Sequence, residues 1–387
     1  MPRPTRLAKA AVCASLIALT LTACGGSGGS DDATDQAGKD SGPASTSTAL
    51  DAAYKGVIGA PPTEPAAAPK GLVWVVSCGE SVPTCATPSA GSVEAAEAAG
   101  MDAKLCDGKL NPQGWSDCIR QGISAKAAGI VITGQDCASL QGALGEAKAA
   151  NIPVIGAGGN DCDVTGGDKL YAAIVTNLPD LTQQQWWEKM GALQADWIIG
   201  KTDGKAQVLS LEFGDTIWGG WLQDGFEKQL GTCSGCKVLD TVTIGNADVA
   251  SGQLPQKFST ALLKQPTASA INVPLDGWFF AGLAQAVKQS TRSDDLAVVG
   301  NFGEPGNVDF ISNNGGEDAT VAFAEAWSGW AGVDALIRVL NKQDVLPAGI
   351  GLQVMDADNN LPEGGKPFSY NPVIDYKSAY TKLWTGQ

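Results

Sequence analysis

The chain has 387 residues, with 26 Lys plus Arg against 41 Asp plus Glu and no histidine. A formal charge of −15 excludes an electrostatic grip on nucleic acid or anionic headgroups as the basis of function. The missing imidazole excludes Ser-His-Asp and Cys-His nucleophile pairs and every His-ligated zinc site. At 44% hydrophobic and 17% charged the composition is globular, and the length suits about two domains of roughly 150 residues each.

Arg3, Arg6 and Lys9 lead into an apolar stretch from Ala10 to about Thr20. It is too short to span roughly 30 Å of hydrocarbon and has the layout of a secretory signal. It ends in Leu21-Thr22-Ala23-Cys24, which resembles the bacterial lipobox. That resemblance implies that residues 1–23 are removed and that Cys24 carries the acyl chains. From Gly25 to Ala49 the chain is dominated by small and polar residues without an aromatic ring, a composition that cannot order itself. Pro61, Pro62, Pro65 and Pro69 follow. Residues 24–69 are therefore expected to be a lipid-anchored flexible tether, with the folded body starting at about Lys70.

Beyond Lys70, short β-rich runs alternate with Ala-rich amphipathic stretches. The first set of strands is predicted at Leu72–Val76, Ala103–Cys106, Gly129–Thr133, Ile152–Ala157 and Tyr171–Val175. A second set follows at Gln207–Leu211, Val238–Ile244, Ala268–Val273, Leu296–Gly300 and Thr320–Ala324. Helical segments such as Gly91–Ala99, Trp115–Ala128 and Ser139–Ala150 separate them, and the long run Leu181–Ile199 opens the second set. Repeated βαβ favours parallel sheets with helices on both faces. The expected fold class is α/β, two doubly wound parallel-sheet lobes.

The order of the motifs carries a family resemblance. Gly100-Met101 to Asp107-Gly108, Gln113 to Ile123, Ala128-Gly129-Ile130-Val131-Ile132 and Ala149-Ala150-Asn151-Ile152-Pro153-Val154-Ile155 resemble the first lobe of the ribose-type, type I periplasmic binding proteins. Leu222-Gln223-Asp224-Gly225-Phe226, Asp276 followed by Ala281-Gly282-Leu283-Ala284-Gln285-Ala286, and Val298-Val299-Gly300 resemble the second. The resemblance implies a clamshell with a three-crossover hinge near Val175, Ala324 and Gly349. It implies a first lobe of residues 70–176 plus 325–348 and a second of 177–324 plus 349–387.

Eight cysteines besides Cys13 and Cys24 lie as near neighbours: Cys78 with Cys85, Cys106 with Cys118, Cys137 with Cys162, Cys233 with Cys236. An exported compartment permits disulfides, but eight cysteines allow about 105 connectivities, so locality alone carries this pairing. Cys233-Ser234-Gly235-Cys236 could also read as a redox CxxC or half a zinc site. It falls in a helix-to-strand turn with no second CxxC, and a structural bridge is expected. Gly156-Ala157-Gly158-Gly159-Asn160-Asp161 fails as a dinucleotide fingerprint because Asp161 stands where the last glycine belongs. Asp356, Asp358 and Asn360 open like a calcium loop, but Leu361 replaces the turn glycine, and a solvated loop is expected. Glu94 and Glu97 read as an exposed helix face.

Departures from the family bear most on the ligand. By the resemblance, an Asp-Arg pair after the fourth strand becomes Gly158-Gly159, an Arg becomes Leu222, an Asn becomes Leu275, an Asp becomes Phe302, beside Asn301, and a Gln becomes Phe323. Each lost polar partner costs about 1 to 3 kcal/mol, which opposes tight binding of a simple pentose. Aromatic residues replace them. Trp218, Trp278 and Trp327 at loop-to-helix junctions, with Trp221, are the expected ligand contacts, Asp276 the polar anchor, and Ser77, Glu80 and Asn160 the first-lobe candidates. No cofactor, metal or catalytic residue is expected.

Together these readings describe an exported receptor, lipid-anchored to the outer face of the bacterial cytoplasmic membrane. It would be a monomer binding a sugar-like or flatter, less polar solute and handing it to an ABC permease. The membrane is touched through the anchor only, and no nucleic acid is a partner. The alternative is a surface sensor of the same shape acting on a signalling partner.

Overall fold

The computed structural model describes residues 46–362, 372 and 374–386. Cys24, its lipobox and the first part of the expected tether lie outside the described residues. The rest of that tether is not one. Thr46–Lys55 forms helix α1, with Ala49 and Ala53 buried, and the chain after it stays on the body up to the first strand. Its small apolar face is too weak to order a free segment but suffices against a packed partner.

The first sheet contains β1 (Leu72–Ser77), β2 (Asp102–Asp107), β3 (Gly129–Thr133), β4 (Val154–Ala157) and β5 (Ala173–Ile174), all parallel, in the order β2-β1-β3-β4-β5. Helices α2 (Pro83–Ala98), α3 (Pro112–Ser124) and α4 (Gln141–Ala149) connect them. Asn111 caps α3 by accepting from the Gly114 amide, with Pro112 in the first turn, a position where its missing N–H costs nothing.

Helix α5 (Gln183–Lys201) opens the second lobe. Thr182 and Gln185 close a capping box at its start, which fixes where this largely buried helix begins. The second sheet contains β6 (Gln207–Phe213), β7 (Lys237–Ile244), β8 (Ala270–Asn272), β9 (Ala297–Phe302), β10 (Ala319–Ala322) and β11 (Gln353–Asp356), in the order β11-β10-β9-β8-β6-β7. All pairings are parallel except β10 with β11. Its helices are α6 (Ile217–Leu230), α7 (Asn246–Ala250), α8 (Leu254–Lys264), α9 (Ala284–Gln289) and α10 (Asn307–Ser312). Read from its own first strand, the parallel part repeats the order of the first sheet, so the five-and-five division holds, with β11 as an unforeseen antiparallel edge.

Helix α11 (Glu325–Leu340) returns to the first lobe and packs on α2, β3 and β4. Helix α12 (Tyr376–Thr385) also lies there, against α11 and α2, although residues 349–387 were expected with the second lobe. Its aromatic face is the reason: Tyr376 stacks on Trp327 at 4.7 Å and Trp384 on Trp330 at 5.5 Å. Arg338, fully buried, donates to Asp334 and to the Glu64 carbonyl, and Asp334 accepts from the Trp384 indole.

The chain passes between the lobes at residues 175–182, 323–324 and 341–352, as the resemblance implied. Two passages are bonded together: Ala348 donates to the Thr176 carbonyl, and Gly349 and Ile350 to that of Asn177. Residues 56–69 add a fourth. Val57 and Leu352 exchange both backbone hydrogen bonds, and farther on Ala66 donates to the Leu383 carbonyl. A helix on the second lobe is thus strapped to the first.

The eight cysteines form the four local pairs, Cys78–Cys85, Cys106–Cys118, Cys137–Cys162 and Cys233–Cys236. Asp356 is not part of a solvated loop. It is buried and accepts from Tyr54, Trp197 and Lys201, tying α1 and α5 to the sheet edge. Among the described residues no helix is long and apolar enough to cross a membrane.

Candidate functional site

Ligands of open α/β sheets bind beyond the carboxyl ends of the strands. Here the two sheets turn those ends toward one another. On the first lobe β1 ends at Ser77, β3 leads to Gln135 and Asp136, and β4 leads to Gly158-Gly159-Asn160. On the second, β6 ends at Phe213, β8 leads to Asp276, β9 to Phe302-Gly303-Glu304, and β10 to Phe323. The edges touch where Asp136 Oδ2 faces the Ile217 amide at 3.5 Å.

The first-lobe candidates are placed as follows. Ser77 is buried, its hydroxyl accepting from the Gly79 amide. Glu80 accepts from the Ser89 hydroxyl at 2.6 Å, and its amide donates to Asp107. Asn160 is buried and donates through its amide and its Nδ2 to Asp136 Oδ1, while its own Oδ1 has no partner. Gly158 adopts φ 94°, and a Cβ on Gly159 would collide with the Gln135 carbonyl. Both glycines are therefore required for this loop to lie against the end of β3. The disulfides Cys78–Cys85 and Cys137–Cys162 close the two loops that carry these groups.

On the second lobe the aromatic candidates form one wall. Trp218 stacks on Trp187 at 4.6 Å, and both meet Phe302 at about 6 Å. Phe213 packs against Trp218 and Trp278, and Phe302 against Phe323. Trp187, in the first turns of α5, was missed because an indole in a helix reads as core. Trp221 is half-buried and packs on the same core. Trp327 does not belong to this wall: its ring lies under Tyr376 and its Nε1 donates to Tyr380.

Asp276 is fully buried, but its oxygens are occupied. Oδ2 accepts from the amides of Gly303 (2.8 Å) and Glu304 (3.3 Å), and both oxygens accept from the Thr320 hydroxyl. It is a clamp on the turn after β9 rather than a free anchor. In that turn Phe302 takes φ 103° and Gly303 φ 73°. A bulky residue at positive φ costs on the order of 1 to 3 kcal/mol and persists only where neighbours impose it. Asn301 is held too, its Nδ2 donating to the Val273 carbonyl.

The clamped turn delivers Glu304, a residue the sequence reading passed over. A lone Glu after a strand reads as surface, yet Glu304 is fully buried, as is Glu317, and Glu325 nearly so. No donor lies in ordinary hydrogen-bond geometry with either oxygen of Glu304, although the Thr84 hydroxyl and the Gly277 amide face it and partly offset the effect of its burial. Its Oε1 and the hydroxyl of Thr84, on α2 of the opposite lobe, lie 3.7 and 3.8 Å from the place a Cβ on Gly277 would occupy. Burial, with the Asp276 charge beside it, pushes the Glu304 carboxyl up to about 8. Burial likewise raises Asp276 to about 7, and holds Glu317 and Glu325 well above the carboxylate range. Among the described residues Arg338 is the buried basic side chain, and it is bound to Asp334.

A two-lobed α/β clamshell with buried, unpartnered polar atoms where its strand ends meet is the architecture of a small-molecule receptor. The chain belongs to the periplasmic binding protein domain family, whose pattern matches residues 79–344. The fold is shared with solved structures. An ABC transporter solute binding protein from Agrobacterium vitis bound with α-D-tagatopyranose superposes with a TM-score of 0.64 at 21% identity, covering 78% of this chain and 99% of that one. A glucose-galactose binding protein from Geobacillus stearothermophilus gives 0.62 at 21%, covering 75% and 98%. A periplasmic solute binding protein from Actinobacillus succinogenes with bound D-allose gives 0.62 at 16%, also covering 75% and 98%. No curated protein sequence matches the chain.

Proposed function

We propose that this chain is the lipid-anchored, extracytoplasmic solute receptor of an ABC importer, and that it binds a small sugar-like solute between its lobes without chemical change. The observation that carries the reading is the meeting of the two strand-end faces, Asp136 against Ile217 and Thr84 toward Glu304, beside a hinge of adjacent, hydrogen-bonded chain passages. A ligand held there touches both lobes, so binding favours closure by the differential contact it makes. The structural relatives hold sugars, and the aromatic wall suits a ring with a flat face. Trp218, Trp278, Phe302 and Phe323 are proposed to shape that wall, with Asn160 and Glu304 as polar contacts from opposite lobes.

Anchoring is assigned to Cys24, and import to a permease that recognises the closed lobes. Fractionation of the source bacterium tests the first: Cys24→Ala should release the protein or leave an unprocessed precursor, and unchanged lipid-modified membrane retention would remove the anchor. Uptake of labelled solute in a deletion strain tests the second, with intact uptake counting against the importer role.

A further inference from the structure

Acceptors predominate among the buried polar atoms left without partners at the lobe interface. Around the turn after β9 they are Glu304 Oε1 and Oε2, Glu325 Oε2, Asn301 Oδ1 and Asn307 Oδ1, while the unpartnered donors near them are Trp187 Nε1 and Asn272 Nδ2. Glu317 is not among them, because it shares a hydrogen bond with Asp276. The orientation of Asn307 is set by its Nδ2, which donates to Glu317 and to the Asp276 carbonyl, so its buried Oδ1 is an amide acceptor waiting beside the carboxyls. Unmet buried acceptors cost about 1 to 3 kcal/mol each, and more when charged. What completes such a set is a donor-rich, positively charged group.

The protein does not supply that group. No buried Lys lies among the described residues, and Arg338 is already bound to Asp334. Burial keeps Glu304 protonated in the ligand-free protein, and a cation bound beside it would favour the ionised form. Nor do these carboxyls converge as a chelate. Among the described residues the grouping tight enough for a metal is Cys137, Asp161 and Cys162, whose two cysteines are bonded to each other. Glu325 lies close enough to Glu304 to feel its charge, so one organic cation could face both carboxyls. The aromatic wall starts two residues before Glu304, at Phe302, and ring faces attract organic cations.

We propose, building on the receptor reading, that the bound solute carries a protonated nitrogen, as an amino sugar does, and that this ammonium sits between Glu304 and Glu325 at the lobe interface while its ring lies on the Phe302 and Trp218 wall. Glu304 is the specificity-determining contact. Asp276, through the Gly303 and Glu304 amides, positions it.

Calorimetric titration of the purified protein with matched pairs tests this: D-glucose against D-glucosamine, D-galactose against D-galactosamine, and calcium chloride alone, at pH 7. At least one amino sugar should bind ten times or more tighter than its neutral partner. Glu304→Gln and Glu325→Gln should each reduce that preference at least tenfold while the circular dichroism spectrum is retained. Equal or tighter binding of the neutral sugars, or a preference that survives both substitutions, overturns the charge assignment and leaves the receptor reading standing. Binding of calcium alone overturns it in favour of a metal site. Binding of no probe, neutral or charged, removes both readings.

Discussion

The indoles of Trp187 and Trp218 stack 4.6 Å apart with their planes 18° from parallel. One comes from the long helix that opens the second lobe and the other from the helix after β6, so the pair fixes the wall of the cleft before any ligand arrives. Trp218→Ala should therefore lower stability by about 3 kcal/mol, as well as weakening binding, while Trp218→Phe should cost much less. Urea unfolding monitored by circular dichroism measures this; unchanged stability in the alanine variant would mean the ring serves the ligand alone.

Tyr54 and Asp356 join the N-terminal strap to the second sheet. Burial pushes the Asp356 carboxyl up, but hydrogen bonds from Tyr54, Lys201, Asn359 and Trp197 outweigh it and bring the group down to about 2. Its folded value lies below its unfolded one, so its contribution is present above about pH 4 and is lost as pH falls toward 2. Tyr54→Phe should cost about 1 to 2 kcal/mol at pH 7, and the cost should shrink at pH 2.5. A cost independent of pH would contradict the link.

The local disulfide pairs give a direct chemical expectation. Alkylation under denaturing conditions without reductant should label none of the eight, and peptide mapping should return Cys137 with Cys162. Replacing that pair by serines should loosen the loop carrying Asn160 and weaken solute binding more than replacing Cys233 and Cys236, which lie at the far end of β6 and β7. Equal effects would argue that the first-lobe bridges do not order the cleft.

Much of the architecture could be read from short apolar runs, because the central parallel strands are β-branched segments buried on both faces, as Gly129–Thr133 is, whereas the edge strand Asp102–Asp107 is largely exposed. Strand β11 escaped because Gln353–Asp356 follows a glycine-rich passage and pairs antiparallel at an edge. Helix α1 escaped because two alanines make its buried face, and only contact with α5 gives them value. At the candidate site, Trp218, Trp278, Phe302 and Phe323 were singled out as ligand contacts, and they come together with Phe213 in one buried aromatic cluster. Trp327 was misplaced because a tryptophan opening a helix looks the same whether it faces a cleft or another helix. Glu304 and Glu325 were invisible, since nothing local distinguishes a buried glutamate from a solvated one.

The buried carboxyls set a pH dependence opposite in sign to that of Asp356. Asp276 and Glu304 have folded values raised to about 7 and 8, chiefly by burial. Together with Glu317 and Glu325 they bind protons more tightly folded than unfolded. Their stabilisation is fully present below the unfolded values near pH 4 and is lost as pH rises through the folded ones. The ligand-free protein should thus unfold at higher urea at pH 5 than at pH 8, by on the order of 2 to 4 kcal/mol, and Glu304→Gln should reduce the difference. A ligand-free stability that rises from pH 5 to 8 would be incompatible with uncompensated burial.

The central claim, that this clamshell holds one unaltered small molecule between its lobes, is tested most directly by native mass spectrometry of the protein purified from its own host. The expected spectrum shows a complex of one chain with one small solute, which denaturation releases intact and which reacts with an amine-labelling reagent once freed. Glu304→Gln should reduce its occupancy. A solute that is converted to another mass during incubation, or binding that persists when the second-lobe contacts are removed, would contradict it.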